Sequence, residues 1–156
     1  SAPLAALKRI AIDTGQSTQR LLAMLWSVVV DRDTAEQCID RLCVDRATAR
    51  LLRHIAAAHP VWEHAVGGST DALVALAMDW LALNPSQRQA LLEVAAAQQA
   101  EPKIVARLTA AMQAGEHVDI SVLRERGLTG AELGSAIAQV RRAAVETAAR
   151  SRGPGR

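Results

Sequence analysis

"LWSVVVDRDTA", residues 25–35, is the stretch on which the fold turns. Three consecutive valines suit a β-strand. Asp31 and Asp33, one residue apart, would then have the spacing with which an enzyme strand can hold two Mg²⁺ ions. The opposing reading is that one helix stops here and the next begins. An echo 14 residues downstream favours the second: "VDRDTA" at 30–35 returns as "VDRATA" at 44–49. Each copy precedes apolar residues at helical spacing, Ala35, Cys38, Ile39 and Leu42 after the first, and Ala49, Leu51, Leu52 and Ile55 after the second. An aspartate recurring ahead of two successive helices behaves as an N-cap, accepting hydrogen bonds from free backbone N–H groups. Asp33 also has Glu36 three residues on, the spacing of a capping box. Leu21, Leu22, Leu25, Val28 and Val29 keep a helical rhythm, so the valines read as the last turn of the preceding helix. A metal-bearing strand needs neighbouring strands, and the sequence offers none.

Outward from this stretch the punctuation is helical almost throughout. Pro3 opens a helix to about Ile12 that Gly15 breaks, and Ser17 or Thr18 caps one through about Val30. "HPVWEHAVGG" at 59–68, with Pro60 as a breaker, reads as a short helical turn and a link. Ser69 or Thr70 caps "TDALVALAMDWLAL", apolar nearly all round. Ser86 caps the next helix, Pro102 opens another that Gly115 ends, and Asp119 caps a short helix terminated by Gly127. Thr129 and Glu132 form a T-x-x-E capping box for the last helix. Gly134 inside it costs ~1 kcal/mol relative to Ala and so implies a close backbone contact. The expectation is an all-α, multi-helix bundle of about eight to ten short helices without a sheet. Residues 1–66 would form one helical lobe, residues 67–150 a second, and 151–156 a disordered tail.

The composition agrees. Half of the 156 residues are hydrophobic, mostly Ala, Leu and Val, with three Trp and neither Tyr nor Phe. Small side chains and strong helix formers favour closely packed helices. Cys38 and Cys43 would lie about 140° apart around a helix axis, which argues against a disulfide. Without a signal peptide or an apolar run of ~18 residues, the chain reads as cytoplasmic and not membrane-spanning.

The charge is only mildly basic, +2 formally, but 16 of the 18 basic residues are arginine and they cluster. Arg41, Arg46, Arg50, Arg53 and His54 fall within one helix pair, with Arg50, Arg53 and His54 on a shared face. Arg124, Arg126, Arg141, Arg142, Arg150 and Arg152 form a second group. Such groups suit a nucleic-acid backbone, and so does the "GLTG" turn at 127–130. Alternatively they are solvated and paired with Asp40, Glu125, Glu132 and Glu146. His54, His59 and His64 recur every five residues, a spacing that does not put metal ligands on one helical face. No nucleophile elbow or phosphate-binding loop occurs.

"TAEQCIDRLCVDRATARLLRHIAAAH" resembles the helical region that follows the catalytic head of bacterial tRNA nucleotidyltransferases, the family of CCA-adding enzymes and poly(A) polymerases. There a helix ending in Arg-Leu-x-Leu, here Arg41-Leu42-Cys43-Val44, meets a polar cap, here Asp45, and a helix rich in Leu and Arg. "DISVLRERGLTGAELGSAIAQVRRAAVE" is similar to the same family's tail, with Gly127, Leu128, Gly130, Glu132 and Gly134 at the turn and helix start. Thr129 and Ala131 stand where the family usually has proline. The resemblance covers roughly residues 20–60 and 117–146.

The resemblance implies a tRNA-binding body and tail that grips the acceptor and T arms by shape and phosphate contacts. Together with the clustering, it makes Arg46, Arg50, Arg53, Arg124, Arg126, Arg141 and Arg142 the expected phosphate contacts, and Gly130 part of the RNA-binding turn. The head's glycine-rich strand turn and sheet-borne Asp pair have no counterpart here. No catalytic or metal-ligating residue is therefore expected in this chain. Mg²⁺ and nucleotides would bind a head domain, and the chain's contribution would be positioning. CCA addition and poly(A) synthesis stay open. Two rivals remain: a helical protein–protein interaction module whose Ala-rich faces and Trp26, Trp62 and Trp80 pack against another chain, and a helical metal-dependent hydrolase using the histidines with Asp71 or Asp79.

Overall fold

A computed structural model describes residues 17–98 and 102–151, and within them the fold is entirely helical. The helices are α1 (Ser17–Leu25), α2 (Arg32–Leu42), α3 (Arg46–Val66), α4 (Thr70–Leu81), α5 (Pro85–Gln98), α6 (Lys103–Glu116), α7 (Ser121–Glu125) and α8 (Gly130–Ser151). Among the described residues, seven of the eight are of nine residues or more, so they are longer than the short helices expected. The helix expected over 3–12 and the tail 152–156 lie outside the described residues.

The repeated motif is a helix start, and its working parts are the first Asp and the Thr. Asp31 accepts the Thr34 N–H at 2.8 Å, while Thr34 Oγ1 accepts the Asp31 N–H at 3.1 Å. In the second copy Asp45 accepts the Thr48 N–H at 2.6 Å. The box expected between Asp33 and Glu36 does not form. Asp33 lies in the first turn of α2, and the Glu36 carboxylate is taken by Arg53. The valines are not a strand, nor quite the end of a helix. α1 stops at Leu25, and the Val28 and Val29 N–H groups both return to the Leu25 carbonyl.

Pro60 does not break the chain. α3 runs unbroken for 21 residues to Val66. A proline removes one backbone hydrogen bond and clashes with the preceding turn, at a cost of ~3 kcal/mol. Beyond it Trp62 and Ala65 are buried, and Trp62 meets Trp26 edge-on at 5.2 Å and 76°. Burial of a large aromatic and the ring contact offset the penalty. The Gly67-Gly68 turn follows, with Gly68 at φ +100°, at the expected lobe boundary.

α4 is the central helix. It packs against α3, α6 and α8, and its Leu73, Leu76, Ala77 and Trp80 are almost wholly buried. α1 lies on α5, α2 on α3 and α7 on α8. One apolar cluster runs from Leu22 to Ala149 and so crosses residue 66. Gly115 does not end α6. A Cβ there would come within 2.7 Å of Leu81 Cδ1 and 2.8 Å of Val145 Cγ2, so it is the point where α4, α6 and α8 meet. Gly134, where a close contact was expected, has no neighbour among the described residues within 4 Å of where a Cβ would stand. Asn84, not Ser86, caps α5, accepting the Gln87 N–H at 2.8 Å. Thr129 and Glu132 form no capping box, and α8 starts on Gly130 at φ +56°. No helix among the described residues is long and apolar enough to cross a membrane.

Candidate nucleic-acid interface

The two arginine groups sit on differently built ground. Arg46 is the first residue of α3, and Arg50, Arg53 and His54 follow on one face of the same helix. That face is stitched to both neighbours. Arg53 forms a two-point pair with Glu36 of α2, Nε to Oε1 at 2.7 Å and Nη2 to Oε2 at 2.9 Å. This pairing holds the Glu36 carboxyl below its ordinary range. His54 Nδ1 meets Asp79 Oδ2 of α4 at 2.8 Å, and Arg50 Nη2 donates to the Ala82 carbonyl at the end of α4 at 3.2 Å. Arg50 and Arg53, both expected to contact phosphate, and His54 on the same face therefore link α2, α3 and α4. The sequence signal was right about the shared face and silent about what it meets.

The second group is carried by α7 and α8. α7 is a five-residue helix set up by Asp119, whose carboxylate accepts the Ser121 hydroxyl at 2.6 Å and N–H at 2.9 Å. Those two bonds keep that carboxyl below its usual value. Leu123 anchors the helix in the core, so Arg124 and Arg126 remain outside. Gly127 at φ +74° and Gly130 at φ +56° make the turn into α8. α8 is buried only at Val145 and Ala149, which leaves its first half largely exposed.

The side chains of Arg46, Arg124, Arg126 and Arg141 are exposed and make no hydrogen bond or ion pair with the described residues. Arg142 differs: its Nε donates to Glu146 at 3.0 Å, and Arg150 approaches the same carboxylate at 3.9 Å. Of the acidic partners that would neutralise the cluster, only Glu146 does so. Neither Glu125 nor Glu132 pairs with an arginine among the described residues. At ~1.5 Å per residue, Arg141 lies about 17 Å along α8 from the Gly130 turn.

Arg32 escaped the sequence reading, although it is the repeat mate of Arg46 in the two Val-Asp-Arg copies. With Arg53, Ala56 and Ala57 it lines a cleft of about 300 Å³ between α2 and α3. The histidines do not converge. His54 is paired with Asp79 and His59 lies against the Trp26 ring at 6.5 Å. No group of three His, Cys, Asp or Glu among the described residues could hold one metal ion. Compared with family models, curated proteins and solved structures, the chain matches none.

Proposed function

We propose that this chain binds tRNA through the α7–α8 corner, positioning the 3′ end for a nucleotidyltransferase head domain that holds the Mg²⁺ and nucleotides. The observation that carries the reading is the set of exposed, unpartnered cations Arg124, Arg126 and Arg141 on two packed elements. Arginines without internal partners are free to give bidentate hydrogen bonds to phosphate, and RNA helices are recognised mostly through shape and backbone. Arg46 is a further exposed cation at the start of α3, Arg142 joins the corner when it exchanges Glu146 for phosphate, and the Gly130 turn lets the RNA backbone approach. Arg50 serves the fold and Arg53 is committed to Glu36, so neither is a phosphate contact in this reading.

The test is binding of labelled tRNA at low and moderate salt, beside double-stranded DNA of equal charge. tRNA is expected to bind more tightly, with an affinity that falls steeply with salt. Replacing Arg124, Arg126 and Arg141 together with Gln is expected to reduce the log–log salt slope by about two to three. Equal and negligible binding of both nucleic acids would overturn the reading. A protein-interaction module is the second reading; Trp26, Trp62 and Trp80 are buried within this chain, and it is favoured instead by Met24 at the end of α1 and Val28 in the turn that follows, 50% and 52% exposed. It requires association that resists salt.

A further inference from the structure

The cleft between α2 and α3 has a makeup that phosphate binding alone does not explain. Arg32 comes from the first turn of α2, Arg53 from α3, and Ala56 and Ala57 of α3 complete the lining. Glu36 takes the Nε–Nη2 edge of Arg53 with both carboxylate oxygens. A guanidinium held that way has its plane fixed. What it can still offer the cleft is its flat face and the outer N–H edge. Fixed guanidinium planes stack on aromatic rings, and bases splayed out of RNA are commonly held on such planes. Arg32 is exposed and forms no direct pair with Glu36, although the two attract through space. It is the remaining cation at the cleft.

We propose that this cleft takes one unpaired nucleobase of a single-stranded RNA segment, stacked on the Arg53 guanidinium against Ala56 and Ala57, with Arg32 on the adjoining phosphate. The proposal rests on the reading of the chain as an RNA-binding protein and assigns the α2–α3 cleft a single-stranded segment distinct from the helical RNA at α7–α8. It also gives Arg53 a task that its carboxylate pair leaves open, since stacking uses the plane and not the occupied edge. Small lining residues are required because any longer side chain at 56 or 57 would fill the space beside the base.

The experiment uses the full chain with three probes: a single-stranded RNA hexamer carrying 2-aminopurine, the same hexamer without bases, and a blunt RNA duplex. The hexamer is expected to bind more tightly than its abasic twin, with 2-aminopurine quenched on binding. Arg53→Lys keeps the charge and removes the plane, and should weaken hexamer binding roughly tenfold while leaving the duplex unchanged. Ala57→Leu should do the same by filling the cleft. Equal affinity for the hexamer and its abasic twin, or an Arg53→Lys variant that binds the hexamer as before, would overturn the inference, and persistent duplex binding would then leave the α7–α8 reading standing. Conversely, a base-dependent hexamer signal with no duplex or tRNA binding would support the cleft and count against that reading.

Discussion

The α3 face and the α7–α8 corner each carry several arginines, and the molecule uses them in opposite ways. On α3, Arg50, Arg53 and His54 each meet a partner on another helix, so the face acts as a seam between α2, α3 and α4. On α7 and α8, Arg124, Arg126 and Arg141 meet none among the described residues. The difference lies in packing. α3 lies between two helices that present carboxyl and carbonyl groups to its charged side, whereas the first half of α8 has no fully buried residue and Arg141 at its midpoint meets no such group among the described residues. Arginine density alone therefore does not identify an interface. The number of neighbouring elements around each arginine decides whether it is paired within the fold.

The largest expected effect comes from removing the support of the free group. Gly115→Ala forces a methyl group into Leu81 and Val145, and should destabilise the fold by about 2 kcal/mol in a denaturant titration. Because α8 is displaced, tRNA affinity should fall with it. On the seam, Arg50→Gln removes the donor to the Ala82 carbonyl and should cost about 1 kcal/mol. The salt slope of tRNA binding should stay the same. A change in that slope would mean that Arg50 itself contacts the RNA backbone. Gly134→Ala should stabilise by up to about 1 kcal/mol, since the position is helical and no described residue lies within reach of the new methyl. A loss of tRNA affinity in that stabler variant would show that the RNA backbone approaches α8 at Gly134.

The smallest effects concern pH. Backbone N–H donation by Thr34 and Thr48 holds Asp31 and Asp45 below the ordinary Asp value of 3.8, and Arg53 holds Glu36 below 4.5. Depressed carboxyl pKa values mean stability that is fully present above the unfolded values and is lost as pH falls through the folded ones. Helicity followed by circular dichroism should therefore be level from neutrality to about pH 5 and decline below about pH 4. Asp31→Asn and Asp45→Asn, which keep a capping oxygen without the charge, should flatten that decline.

Much of the helical plan was legible in the sequence because it depends on local chemistry. The Val-Asp-Arg-x-Thr-Ala copies announce two helix starts through a carboxylate three residues from a threonine N–H, and both caps form. Ser69 announces α4 and Gly127 the end of α7 in the same way. Where the reading failed, the deciding contact was remote in sequence. Pro60 is a breaker by every local rule, and α3 passes through it because Trp62 finds Trp26, 36 residues away. Gly115 resembles a terminator and is a crossing point, while Gly134 resembles a crossing point and has no described neighbour within reach of a Cβ. The arginines follow the same division. That they cluster is a property of the chain, but which of them are spent on Glu36 and Ala82 and which stay free is settled only when α2, α4 and α8 take their places around α3 and α6. Side-chain hydrogen bonds between helices depend on distances that no local spacing encodes.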